Sequence, residues 1–157
     1  MRRSALLALT LLAAAALTAT AALAHSWPGR PQTKPPLLGQ AGPPPAWLET
    51  RQHSRWMSFS SYCWRSGGKA VCVDMQPVQM RTDLAVLRAV RGQRLRLHLA
   101  FRPSQAHLTV YKGLGFKHYR LSPARVMTWR VRAFGVAVLD IKAAAGTASY
   151  AIRLKTR

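Results

Sequence analysis

Cys63 and Cys72 flank the segment of this chain whose residue spacing points most directly to covalent chemistry. Gly67-Gly68 lies midway between them and suits a two-residue hairpin turn, because such turns require positive φ. Counting outward from that turn places Cys63 opposite Cys72 at a non-hydrogen-bonded pair, where facing side chains lie closest. A disulfide is therefore predicted. Metal binding would need further ligands from scattered histidines, and a catalytic thiolate would need a neighbouring base that the spacing does not indicate.

Basic side chains at alternating positions are the second pattern with chemical meaning. They fall on three segments in which every second residue is apolar, so the basic residues face away from the core. The six are Arg94, Arg96, Arg130, Arg132, Arg153 and Lys155. If these segments share a sheet, we expect a continuous cationic face, because guanidinium groups bind phosphate or carboxylate oxygens two at a time.

Anionic cell-wall polymer and lipid headgroups are the partners that such a face predicts. Specific nucleic-acid binding is not predicted, because stacking platforms are missing: Trp129 and Tyr150 fall on the apolar side of their segments. The alternative is a structural domain whose cationic surface only keeps it soluble. Arginine is the favoured base throughout the chain, which a GC-rich genome would also produce, so charge alone establishes no partner.

Acidic residues are scarce. The chain has four Asp and Glu against 24 Lys and Arg, a formal net charge of +20. Glu49, Asp74, Asp83 and Asp140 are scattered singly, whereas catalysis by paired carboxylates needs two acids converging on one bond. No nucleophile elbow and no glycine-rich phosphate loop is present. We therefore predict a non-catalytic protein without a cofactor.

Residues 1–24 have the three-part pattern of a secretory signal peptide: a cationic start, an apolar run and small residues before Ala24. An uncleaved membrane anchor is the alternative, since twenty apolar residues can just span a bilayer. Ala19-Thr20-Ala21 offers a second cleavage position. Cleavage predicts a secreted, periplasmic or cell-envelope protein with no transmembrane segment. Loss of Arg2 and Arg3 leaves 22 bases against four acids, a net charge of +18.

The remaining chain divides into a linker over residues 25–45 and a folded domain over residues 46–157. Seven of the ten prolines lie between Pro28 and Pro45. Proline lacks a backbone donor and fixes φ, so this stretch is expected to be an extended, solvated tether.

Short alternating segments separated by turns at intervals of about ten residues predict an all-β domain, an antiparallel sandwich or barrel. The clearest segment carries Leu95, Leu97, Leu99 and Phe101 on one face. Residues 82–91 fit either a two-turn helix capped by Thr82 or Asp83 or a strand, and we favour the strand.

His25 would become the N-terminal residue if cleavage follows Ala24. Its free amine and imidazole could then chelate copper, with a second ligand from the other histidines. Those are His53, His98, His107 and His118. The arrangement resembles the N-terminal histidine of copper-dependent polysaccharide oxygenases and of some periplasmic copper carriers. None of the surrounding residues matches those families, and a proline-rich tether would hold the chelate poorly. Copper binding is thus the alternative function.

The run Ser61-Tyr62-Cys63-Trp64, followed by the glycine turn and Val71-Cys72-Val73-Asp74, is similar to a motif of small secreted proteins and lipoprotein domains of bacteria. Arg91–Leu95 and Gly146-x-x-x-Tyr150 also resemble their sequences. The resemblance covers about residues 58–157 and implies an immunoglobulin-like β-sandwich with no established activity. Those relatives tend to carry Pro-Pro-Glu after the aspartate, where this chain has Gln76-Pro77-Val78-Gln79.

Overall fold

The computed structural model describes residues 26–36 and 42–157, and within them the chain is an all-β sandwich of two packed sheets. The fold-class prediction is confirmed. The predicted signal peptide, residues 1–24, and the copper candidate His25 lie outside the described residues, so both remain predictions.

Eleven strands and one 3₁₀ turn make up the regular structure of the described residues. In chain order they are β1 (Trp47–Glu49), β2 (Ser54–Trp56), β3 (Ser58–Ser66), β4 (Lys69–Val73), the 3₁₀ turn (Val78–Met80), β5 (Val86–Ala89), β6 (Arg94–His98), β7 (Gln105–Lys112), β8 (Gly115–Leu121), β9 (Val126–Arg130), β10 (Gly135–Ala143) and β11 (Gly146–Thr156).

The smaller sheet has the order β2-β1-β6-β9, and the larger has the order β4-β3-β11-β10-β7-β8. Neighbouring strands along both orders are antiparallel. β10 pairs with β11 over nearly its whole length, so β3 and β5 must share the other edge of β11. β3 pairs with its first half, and β5 pairs in parallel with its last four residues.

The core lies between the sheets and is built from the inward residues of the alternating strands. Leu95 and Leu97 on β6 face the interior, as do Tyr150, Ile152 and Leu154 on β11, and all five are almost fully buried. Period-two alternation predicted an inward side chain for Leu95, Leu97 and Tyr150. At about 1.5–3 kcal/mol for each fully buried large apolar side chain, this interior is the main source of stability.

The cysteine hairpin has the predicted register. Cys63 lies opposite Cys72 with the two Cα atoms 4.0 Å apart, and the disulfide is formed. Gly67 and Gly68 both have positive φ, 56° and 79°, which the two-residue turn requires. The turn chemistry and the alternation therefore determined this part of the fold locally.

Residues 82–91 form a strand over Val86–Ala89, as favoured from the sequence. Leu87 and Ala89 are buried in the main core. Upstream, Val78 and Leu84 cover Val136, Val138 and Ala151 in a second apolar cluster on the outer face of the larger sheet.

The segment that leads into β5 is held by an ion pair. Arg81 donates from Nε to Asp83 Oδ1 at 2.9 Å and from Nη2 to Oδ2 at 2.6 Å. These hydrogen bonds lower the pKa of Asp83 from its usual 3.8, so the pair stabilises the fold above that pH and is lost on strong acidification.

The described part of the predicted tether lies against the domain instead of extending freely into solvent. Trp56 donates from Nε1 to the carbonyl of Thr33 at 2.7 Å, and Tyr150 donates its hydroxyl to the carbonyl of Pro44 at 2.8 Å. Burial raises the pKa of Tyr150, so it remains a donor. Pro31 and Pro43 are buried. Trp56 and Tyr150 of the sandwich therefore fasten the proline-rich backbone to the domain.

Replacing both cysteines by serine should lower the free energy of unfolding by about 2.5–3 kcal/mol, because the ring that restrains the unfolded chain is lost. Urea unfolding of the oxidised parent and the C63S/C72S variant measures the difference. A loss below about 0.5 kcal/mol would mean that the disulfide does not stabilise the domain.

Candidate anion-binding surfaces

Four arginines gather at one end of the smaller sheet; we call Arg91, Arg94, Arg130 and Arg132 the arginine cluster. Arg94 on β6 lies directly opposite Arg130 on β9. Both side chains point away from the core, because their neighbours Leu95 and Trp129 point into it. Like charges directly opposite on adjacent strands destabilise a sheet. The pair is therefore unfavourable until an anion or solvent offsets it.

Backbone carbonyls hold two of these side chains in place. Arg91 donates from Nη1 to the carbonyl of Arg132 at 2.8 Å, and Arg130 donates from Nη1 to the carbonyl of Gly92 at 3.4 Å. The turn at Gly92, with φ of 80°, is joined to the end of β9, because the Gly92 amide donates to the carbonyl of Val131 at 2.8 Å. Each of these guanidiniums keeps further N–H donors free for a ligand, since arginine carries five. Among the described residues, none of the salt bridges involves the arginine cluster.

Arg96, predicted to belong to the same face, is engaged otherwise. Its guanidinium lies over the Trp27 ring at 3.9 Å, and Nη1 is 3.8 Å from Glu49 Oε1. A cation between an aromatic face and a carboxylate is already partly compensated. Arg96 therefore contributes less free charge to this surface than Arg94 or Arg130.

Arg153 and Lys155 lie on β11, which belongs to the larger sheet. The six predicted residues therefore do not form one continuous face. Arg153 is half-buried and donates from Nη2 to the carbonyl of Arg81 at 2.8 Å, which fastens the segment before β5. Its role in the described structure is positional, whereas Lys155 is exposed.

Lys155 contributes to a separate groove, the basic groove, where β2 of the smaller sheet meets β5 and the end of β11. This groove has a volume of about 540 Å³. Its polar lining consists of His53, Arg55, Arg88, Lys155 and Arg157 over an apolar floor of Val86 and Leu87. Arg157 donates from Nη2 to His53 Nε2 at 3.2 Å. None of the four acids lines the groove, and four of its seven lining residues are arginine or lysine.

The other half of the smaller sheet's outer face is covered by Ser26–Pro36 around Glu49. Glu49 is 1% exposed, and its Oε2 accepts from the Gly29 amide at 3.0 Å. Oε1 lies 2.7 Å from His98 Nε2. The His98 ring in turn stacks on Trp47 with centroids 4.5 Å apart. His98 is thus the neighbour of a buried carboxylate.

Polar groups also meet on the outer face of the larger sheet. His118 Nε2 lies 3.2 Å from His107 Nδ1, and Thr109 Oγ1 lies 3.0 Å from His118 Nδ1. Asp140, opposite His107 on β10, accepts from the Ser149 hydroxyl. No group of three or more His, Cys, Asp or Glu side chains in residues 26–36 and 42–157 is arranged to hold a metal ion.

Neither protein families, nor curated proteins, nor solved structures gave a match to this chain. The predicted resemblance to small secreted bacterial domains therefore stays a prediction. In the described part of the chain, no helix is both long and apolar enough to cross a bilayer.

The sequence did not indicate the basic groove. His53, Arg55, Arg88 and Arg157 come from three distant segments, which meet because β5 pairs with β11 and β2 of the other sheet packs against β5. The burial of Glu49 could have been suspected from the sequence. Glu49 directly follows the apolar pair Trp47-Leu48, and the chain has only four acidic residues.

Replacing Glu49 by Gln should destabilise the fold by about 1–3 kcal/mol, because a buried acceptor for His98 and Gly29 loses its charge. Hydrogen exchange of the Gly29 amide should accelerate, and urea unfolding should measure the loss. Asp74→Asn, the same chemical change at an exposed acid, is the matched control and should alter stability by less than about 0.5 kcal/mol. Equal effects of the two changes would contradict an anchoring role for Glu49.

Proposed function

We propose that this chain is an exported, non-catalytic binding module of the cell envelope that holds phosphate-bearing anions on its arginine cluster. The phosphates would belong to anionic cell-wall polymer or to lipid headgroups. The observation that carries the proposal is the opposition of Arg94 and Arg130, with Arg91 and Arg132 beside them and no acid in contact. A fold that needs no ligand gains nothing from facing like charges.

Charge and geometry support the same conclusion. With 22 bases against four acids, the chain after residue 24 attracts anionic surfaces over a distance of about 8 Å at physiological ionic strength. Planar guanidinium groups fixed by backbone carbonyls lose little freedom when they bind phosphate oxygens. The basic groove supplies a second set of donors for a ligand long enough to reach it. Trp129 and Tyr150 are buried, so stacking on bases finds no support at this surface.

Export enters the proposal through the sequence of residues 1–24, and the disulfide accords with an oxidising compartment. The copper alternative gains no support from the described residues. Each candidate second ligand has another partner: His53 contacts Arg157, His98 contacts Glu49, and His107 pairs with His118.

Mass spectrometry of the exported chain should give an N-terminus at His25, because the predicted cleavage follows Ala24. A chain that starts at another residue would remove the copper alternative.

Binding should be measured with the chain purified after export, using soluble polyphosphate and, separately, phosphatidylglycerol vesicles at rising salt. Replacing Arg94 and Arg130 by serine should weaken binding to both probes at least about tenfold, since a hydrogen bond to a charged group contributes about 1.5 kcal/mol or more. Affinity of the parent should fall as salt rises.

The matched control is Arg65→Ser with Arg102→Ser, which removes the same charge at exposed positions outside the arginine cluster. This control should change affinity less than threefold or so, because only the long-range field is reduced. If the parent binds neither polyphosphate nor vesicles at low salt, the proposal is refuted. Equal losses in the two double variants would also refute it, because the charge would then act without a defined site.

A further inference from the structure

The turn between β7 and β8 presents apolar side chains to solvent. We call Lys112–Lys117 the hairpin tip. Leu114 is fully exposed, at 109% of its reference area, and Phe116 is 67% exposed. Among the described residues only Met80, at 73%, is a comparably exposed large hydrophobic side chain. Two such residues at one protruding turn are a costly arrangement for a protein that meets only water.

The hairpin tip is a tight two-residue turn. Lys112 pairs with Gly115, so the loop has two residues, Gly113 and Leu114. Gly113 has a φ of 58°, the positive value that a tight turn with glycine at its first central position requires. The Phe116 ring lies 5.9 Å from that of Tyr111 across the strand pair. Leu114 is therefore held at the outermost point, with Phe116 beside it.

Cations surround these apolar side chains. Lys112 and Lys117 flank them in sequence, and Arg91 and Arg132 of the arginine cluster lie across a groove of about 330 Å³. Phe116 and Phe134 also line this groove, whereas no acidic residue does. An apolar tip ringed by lysine and arginine is complementary to an anionic bilayer, whose phosphates lie just above an apolar phase.

We propose that the hairpin tip inserts Leu114 and Phe116 into the interfacial region of an anionic lipid bilayer, while the four cations around it bind lipid phosphates. This inference rests on the proposed function and names its ligand as a lipid surface. A hydrated polymer offers phosphates but no apolar phase, so it leaves Leu114 in water. Only a bilayer offers phosphates to the cations and an apolar phase to the exposed side chains at the same time.

The test compares the exported parent chain with L114S and L114S/F116S in sedimentation with mixed phosphatidylglycerol–phosphatidylcholine vesicles. Met80→Ser is the matched control, because Met80 is an exposed apolar side chain, 73% exposed, that does not belong to the hairpin tip. Each removed side chain should weaken vesicle binding about tenfold. Binding to polyphosphate should stay unchanged, and Met80→Ser should alter neither affinity. Leu114 is outside the core, so its replacement leaves folding intact.

The rise in surface pressure of a phosphatidylglycerol monolayer reports insertion directly, and the parent should produce it more strongly than L114S. Vesicle binding by L114S/F116S that equals that of the parent would overturn the inference. Equal losses toward vesicles and polyphosphate would also overturn it, as would a parent dimer in solution that L114S dissociates. A parent that binds polyphosphate but no vesicles defeats this inference alone, whereas one that binds neither probe defeats the proposed function as well.

Discussion

The alternation of side chains across a pleated strand is the constraint on which this molecule depends. Every second residue enters the interior, and the residues between must face outward whatever their charge. In this chain the outward positions are often basic, and four acids cannot compensate them. Glu49 is buried beneath the N-terminal segment and Asp83 is paired with Arg81. In the described part of the chain, the arginine cluster and the basic groove each bring several basic side chains together without an acidic partner, which is why these surfaces are the most suited to an external anion.

The outward-facing charged side chains of the smaller sheet are paired at one end of its outer face and unpaired at the other. At one end Trp47, His98 and Glu49 are covered by Ser26–Pro36, and the chain supplies its own partners, including the Gly29 amide. At the other end Arg94 and Arg130 face each other uncovered. The carboxylate of Glu49 therefore fastens the N-terminal segment to one end of the sheet. Among the described residues no carboxylate pairs with Arg94 or Arg130, so the other end is open to a ligand. The hairpin tip adjoins the open end through the groove that Arg91 and Arg132 line.

What could be predicted from the sequence was local. The Gly67-Gly68 turn set the register of the cysteine pair, and period-two alternation identified Leu95, Leu97 and Tyr150 as interior residues. What could not be predicted was pairing between distant segments. Alternation predicts that Arg153 faces outward, but it does not predict which sheet contains Arg153. Sheet membership depends on pairing with strands far along the chain. The sequence around Leu114 does not show that Arg91 and Arg132 lie near the hairpin tip, because these residues meet only in the folded state.

The position of β11 has a consequence for biogenesis. This strand bonds to β3, β5 and β10, all of which precede it in the chain, and it supplies Tyr150, Ile152 and Leu154 to the interior. A growing polypeptide therefore cannot complete the larger sheet until its last strand has left the ribosome, and contacts this distant in sequence form slowly. Compaction of the larger sheet is therefore expected to follow synthesis of β11 rather than to accompany the synthesis of the earlier strands.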